Sequence, residues 1–273
     1  RPWWDPLLFG AVTAGTVLVI GLGGAAKAAQ LASGGRAVAS LLGGRLLEPN
    51  ALDPGERRLL NVVEEMALAS GVPVPAVYVM AEEPGINAFA AGFSPADAVI
   101  GVTRGCMRLL SRDELQGVVA HEFSHILNGD MRLNMRLMAI VFGITVISSL
   151  GGAVLRLGFY APRRRVGSGR EGGGGAGAAL LILGALLYLV GWVGVLFGSM
   201  IRAAISRQRE FLADAAAVQF TRNPSGIAGA LKKIGGLAQG SRLFAARAAE
   251  ASHFYFSNGL RESWLNAFAT HPP

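Results

Sequence analysis

The stretch His121-Glu122-Phe123-Ser124-His125 reads H-E-x-x-H. On a helix, residues four apart share one face, so the two imidazoles can bind one Zn²⁺. The Glu beside the first His is placed to activate a water at that metal. The chain has four His in 273 residues. Shuffling would give this pattern in roughly 1 of 500 sequences, so chance is a poor account of it. The bland alternative is a surface helix with two solvated imidazoles.

The flanks favour a helix with a buried face. Ser111 stands three residues before Glu114, as in a capping box, and predicts a helix starting at Arg112. Leu115, Val118, Val119, Phe123, Ile126 and Leu127 recur at helical spacing. Asn128-Gly129 marks a stop or kink, although a helical pattern resumes after it.

Catalytic zinc usually has three protein ligands and one open position. The third would come from elsewhere in the chain: His253, His271 or a carboxylate. Glu210 stands out, because Asp214 lies four residues on and shares its helix face. A Glu ligand beside an Asp that holds a ligand His by its second nitrogen is sound metal-site chemistry. The competing account of Glu210 is an ion pair with Arg207, three residues earlier.

Composition places the site in a membrane protein. The chain is 52% hydrophobic and 16% charged, with mean hydropathy +0.43, too apolar for an ordinary soluble enzyme. Leu7–Ala26, Leu137–Leu155 and Ala176–Ile201 each have the length of a bilayer span. Ser148, Ser149, Gly151 and Gly152 interrupt the second, which leaves a re-entrant arm as its alternative. Trp3-Trp4-Asp5 is no basic signal-peptide flank, and the chain reads as part of a longer membrane protein. Net charge +7 and pI about 10.3 come from Arg scattered beside apolar spans. With no aromatic-interleaved basic face, nucleic acid is not an expected partner. The single Cys, Cys106, excludes an intrachain disulfide and reads as packing.

Around the HEFSH helix, residues 27–53 read as a polar, Gly-rich connection. Asp53-Pro54 opens a helix to about Ser70. Val77–Met80 and Ala98–Thr103 read as strands, and Asn87–Gly92 as a turn-rich segment. Tyr160–Gly177, with Arg163-Arg164-Arg165 and Arg170, reads as a flexible loop and no phosphate cradle. If His121, His125 and Glu210 meet at one metal, the sequence between them crosses the membrane twice or not at all. The two later apolar runs fit a hairpin.

HEFSHILNGD, followed after that hairpin by SRQREFLADAAAVQFTRNP, resembles the HtpX-like membrane zinc metalloproteases, relatives of the CAAX prenyl endopeptidases. The likeness runs from about Leu59 to Pro273 and includes NAFAAG and the terminal ATHPP. It implies a mainly α gluzincin domain with a small β-sheet, combined with transmembrane helices. It implies one Zn²⁺ per chain on His121, His125 and Glu210, with Glu122 as general base and Asp214 supporting the site. It also implies that Asn87, Ala88, Phe89 and Ala90 lie near the substrate cleft and that His271 approaches the site. The resulting division is 1–33, an N-terminal span and flank; 34–136, the first part of the protease domain; 137–201, the hairpin; and 202–273, the second part. Such enzymes show two spans before the catalytic part, and here one is visible.

The expected reaction is peptide hydrolysis of membrane or misfolded proteins. Zinc would polarise the scissile carbonyl, and Glu122 would carry a proton from the attacking water to the leaving amine. His271 would donate a hydrogen bond to the oxyanion. The strand at 98–103, including Ile100, would bind the substrate as an added strand. An intramembrane site fits poorly with Arg112, Asp113, Glu114, Asn128, Asp130 and Arg132 around the motif. The alternative from another class is a metal-binding scaffold without turnover, and the intact Glu122 argues against it. Arg counts on the two sides of the hairpin are tied, five against five. The resemblance points to a bacterial inner membrane with the site facing the cytoplasm.

Overall fold

The computed structural model describes residues 5–160 and 175–236. These fall into two compact units, one drawn from the described residues up to 29 and within 139–200, the other from 30–138 and the described residues after 200. The loop arginines Arg163, Arg164, Arg165 and Arg170, and both His253 and His271, lie outside the described residues.

The first unit is helical. It is built from α1 (Pro6–Gln30) and from the apolar stretches of α6 (Asp130–Tyr160) and α7 (Gly175–Thr221). Among the described residues, three helical segments, Phe9–Gln30, Asp130–Tyr160 and Gly177–Gly198, are long and apolar enough to cross a bilayer. Large apolar side chains such as Leu18, Leu22, Leu186 and Val190 point outward, as lipid-facing residues do. The helices meet at small residues. A Cβ on Gly151 would stand 2.3 Å from Tyr188 N, and one on Gly184 would stand 2.6 Å from Leu155 N. These are backbone-to-backbone approaches that only glycine permits. Of the small residues read as interrupting the second span, Gly151 and Ser148 are its close contacts with α7. α6 runs unbroken for 31 residues, and no re-entrant arm is formed.

The second unit packs helices on both faces of a four-stranded sheet, in the order β1-β2-β4-β3. The strands are β1 (Arg45–Leu46), β2 (Ala76–Met80), β3 (Ala88–Ala91) and β4 (Val99–Thr103). β2 and β4 are parallel, and β1 and β3 pair antiparallel with β2 and β4. Alternation sorts their side chains. Val77, Val79, Ala88, Ala90, Ile100 and Val102 join the core shared with α3 (Pro54–Ser70) and α5 (Arg112–Leu127). Tyr78, Met80, Phe89, Ala91 and Val99 join the opposite core with α2 (Gly35–Leu41). This is the period of two that a strand buried on both faces must show.

Two segments differ from the sequence reading. The stretch after α1 is not all connection, because α2 buries Val38 and Ala39 completely. The expected turn at 88–91 is strand β3. Alanine carries little β propensity, but small side chains suit a strand buried on both faces. Phe89 fills the place that Gly101 leaves open; a Cβ there would lie 2.1 Å from the Phe89 ring.

Caps set the helix carrying HEFSH. Ser111 N–H donates to Glu114 Oε2 at 2.6 Å, and Glu114 N–H returns the bond to Ser111 Oγ at 3.3 Å. A cap of this kind contributes about 1 kcal/mol. Lys233, on α8 (Pro224–Gly236), reaches the same carboxylate at 2.7 Å. Burial works against the Glu114 charge, but Lys233 and Ser111 prevail and hold it below the usual carboxylate range. With α4 (Arg104–Leu109) leading into this cap, α5 is anchored at its start against α3 and α8.

Candidate metal centre

α5 buries almost its whole circumference, including His121 and Glu122, each 1% exposed. Buried imidazoles need a partner at each ring nitrogen. His121 Nδ1 donates to Asp214 Oδ1 at 2.9 Å, and His125 Nδ1 donates to Asp130 Oδ2 at 3.0 Å. An ionised carboxylate only accepts, so the Nδ1 proton is fixed in both rings and each Nε2 lone pair is left for a cation.

The Nε2 atoms converge. They stand 3.1 Å apart, and Glu210 Oε2 lies 3.3 Å from that of His121 and 4.0 Å from that of His125. Ligand atoms at 2.0–2.1 Å from a tetrahedral zinc would stand about 3.4 Å apart. The donor set, two imidazole nitrogens and one carboxylate oxygen, is also one that zinc accepts. His121, His125 and Glu210 are the one group among the described residues whose spacing suits a metal ion. Electrostatics agrees. Burial opposes a charge on His121, yet its bonds to Asp214 and Glu210 and the field of Glu122 lift its pKa to about 10. The cluster is rich in negative charge and holds a cation, be it metal or proton.

The expected residues are placed as follows. Glu210 and Asp214 both reach His121 from α7. The Arg207 side chain, the rival partner of Glu210, lies outside the described residues, as does His271. Asn87 is buried at the start of β3, its N–H donating to Thr103 Oγ1 at 3.0 Å and its Oδ1 accepting from Ala88 N–H at 3.0 Å. Ala88, Phe89 and Ala90 turn their side chains into the two cores, so β3 has its backbone to offer. Strand 98–103 requires a correction. β4 is paired on both sides and Ile100 is fully buried. A substrate cannot add to an interior strand, and the outer strand beside α5 is β3.

Sequence reasoning missed Asp130 and Arg209. Asp130 holds His125 and forms an ion pair with Arg209. The available signal was the break at Asn128-Gly129, which turns Asp130 back toward the helix it follows.

Comparison with known proteins accords with this geometry. Residues 55–273 match the model described as Peptidase family M48. The chain is similar to the Protease HtpX homolog of Caldanaerobacter subterraneus subsp. tengcongensis, 44% identical over 219 residues, covering 79% of this chain and 68% of that protein. The Protease HtpX homologs of Streptococcus uberis and Streptococcus equi subsp. equi are 39% and 38% identical over 215 residues, each covering 78% of this chain and 68% of the relative. The chain belongs to peptidase family M48 and, with its apolar helices, is a membrane-associated metalloprotease.

Proposed function

We propose that the chain is a membrane-integrated, zinc-dependent endopeptidase. His121, His125 and Glu210 hold one zinc, and Glu122 is the general base. The observation that carries this reading is the convergence of His121 Nε2, His125 Nε2 and Glu210 Oε2 within 4.8 Å of one another. Zinc held there supplies Lewis-acid polarisation of the scissile carbonyl and a more acidic attacking water. Glu122 lies on the helix of both imidazoles, takes the proton of that water and delivers it to the leaving amine. Asp214 and Asp130 keep both imidazoles in the tautomer the site requires. His271 donates a hydrogen bond to the oxyanion, an assignment that rests on the family resemblance alone.

The substrate is an extended polypeptide, paired through its backbone with the outer strand β3. Backbone pairing tolerates many side chains, which suits removal of membrane or misfolded proteins. The apolar helices support a bilayer location. The bacterial sources of the relatives support a cell membrane, and the family resemblance supports a site on the cytoplasmic side.

Elemental analysis and a casein-cleavage assay test the reading together. Wild type and Glu122→Gln are both expected to hold about one zinc, and only wild type to cleave. Cleavage by Glu122→Gln would remove Glu122 as the base. A zinc-loaded wild type that cleaves nothing would favour the scaffold.

A further inference from the structure

We infer that Arg209 is a positioning residue for the metal centre, acting on His125 through Asp130. The inference rests on the reading of His121, His125 and Glu210 as the ligand set. One short stretch of α7 supplies or holds two members of that set directly and reaches the third through a carboxylate of α6. Glu210 contributes its own Oε2. Asp214, one turn on, accepts from His121 Nδ1 at 2.9 Å. His125 is the exception, because the carboxylate on its Nδ1 is Asp130, at the start of α6. Arg209, the residue before Glu210, pairs with the other oxygen of Asp130.

The chemistry needs this link. Asp130 is 6% exposed, and a carboxylate so buried demands a compensating positive charge. A neutral imidazole gives it one hydrogen bond and no charge. The Arg209 guanidinium supplies the charge and fixes which oxygen faces His125. Without it Asp130 is free to turn toward water, and His125 loses the acceptor that sets its ring orientation and tautomer. The edge most exposed to such a loss is His125–Glu210, at 4.0 Å the longest of the ligand triangle.

Zinc release to a chromogenic chelator tests this on the full chain in detergent. The variants are Arg209→Met, Arg209→Lys, Asp130→Asn and the Arg209→Met/Asp130→Asn double. Arg209→Met is expected to release zinc roughly tenfold faster than wild type, with Arg209→Lys restoring most of the retention. The double variant should be no faster than Asp130→Asn alone, because Arg209 works through Asp130. The absorption bands of the cobalt-substituted protein should shift in Arg209→Met and return in Arg209→Lys. Arg209→Met should lower the melting temperature of the zinc-loaded protein by more than that of the metal-free protein, where only the loss of Asp130's compensating charge is felt. Should Arg209→Met fail to fold, Arg209→Lys carries the same comparison with Asp130→Asn. Unchanged release in Arg209→Met, or additive effects in the double variant, would overturn the coupling. So would an equal fall in melting temperature in the metal-free and zinc-loaded proteins, which would make Arg209 structural only. A wild type that binds no zinc sinks the ligand reading itself, and the inference with it.

Discussion

His125 Nδ1 and Asp130 Oδ2 lie 3.0 Å apart, with four residues and the end of α5 between them. Gly129 makes the contact. Its φ of 72° is left-handed, and it reverses the chain so that α6 begins with a carboxylate facing the helix just completed. A Cβ at Gly129 would meet nothing within 4 Å, so a substitution there is opposed by backbone strain and not by a clash. Gly129→Ala is therefore expected to cost about 1–2 kcal/mol in stability. It should also loosen zinc, because relief of the strain moves Asp130. Thermal melts and zinc titrations in one detergent check both effects. A variant as stable as wild type would show that the left-handed turn is not required.

The two α7 carboxylates should differ in kind. Glu210→Ala removes a donor from the converging set and is expected to abolish tight zinc binding. Asp214→Ala removes the acceptor of His121 Nδ1 and should weaken binding by roughly 10–100-fold. Titration of both variants decides the matter. If Asp214→Ala is the more damaging, the two carboxylates have exchanged roles.

Zinc uptake should expel a proton. In the metal-free site His121 has a pKa of about 10, because the bonds to Asp214 and Glu210 and the charge of Glu122 outweigh burial. At about pH 7 a proton occupies the nitrogen that zinc requires. Binding is expected to release about one proton and to tighten about tenfold per pH unit up to that pKa. The sign for stability runs the other way in the metal-free protein. A raised pKa contributes fully below the ordinary His value of 6.5 and is lost as pH rises through about 10. Calorimetry in two buffers of different ionisation heat measures the released proton. Identical heats in both would show that His121 is already neutral.

The helix contacts of the first unit predict a sharp contrast between two glycines. A Cβ at Gly184 would lie 2.6 Å from Leu155 N, whereas one at Gly177 would meet nothing within 4 Å. Gly184→Leu is expected to lower the melting temperature in detergent severely, since backbone cannot yield as a side chain can. Gly177→Ala should be close to neutral. Equal melting of the two variants would contradict the packing described.

The parts legible in the sequence were those written at helical spacing. His121 with His125, and Glu210 with Asp214, sit four apart on continuous helices, so local sequence puts them on one face, and the structure brings the three metal-binding candidates together. Asp130 was illegible because its contact depends on the φ of Gly129, not on a period. β3 was illegible because Ala88, Ala90 and Ala91 give no strand signal; their conformation is set by the layers above and below. The interior place of β4 follows from pairing order, which no single strand encodes. Ser148 and Gly151 misled for a related reason, since residues that weaken a span by composition are the ones that let α7 approach.

Cys106 has a use that chemistry elsewhere in the chain does not provide. Its thiol is fully buried, and burial pushes its pKa up to about 12. Its Sγ points at Asn87 O, 3.1 Å away, at the head of β3. A thiol in that state offers almost no thiolate to an alkylating reagent at neutral pH. It becomes reactive in molecules where α4 has come away from the head of β3 and the core around it. The rate at which iodoacetamide consumes Cys106 is thus a clock for opening of the catalytic half, built into the native chain.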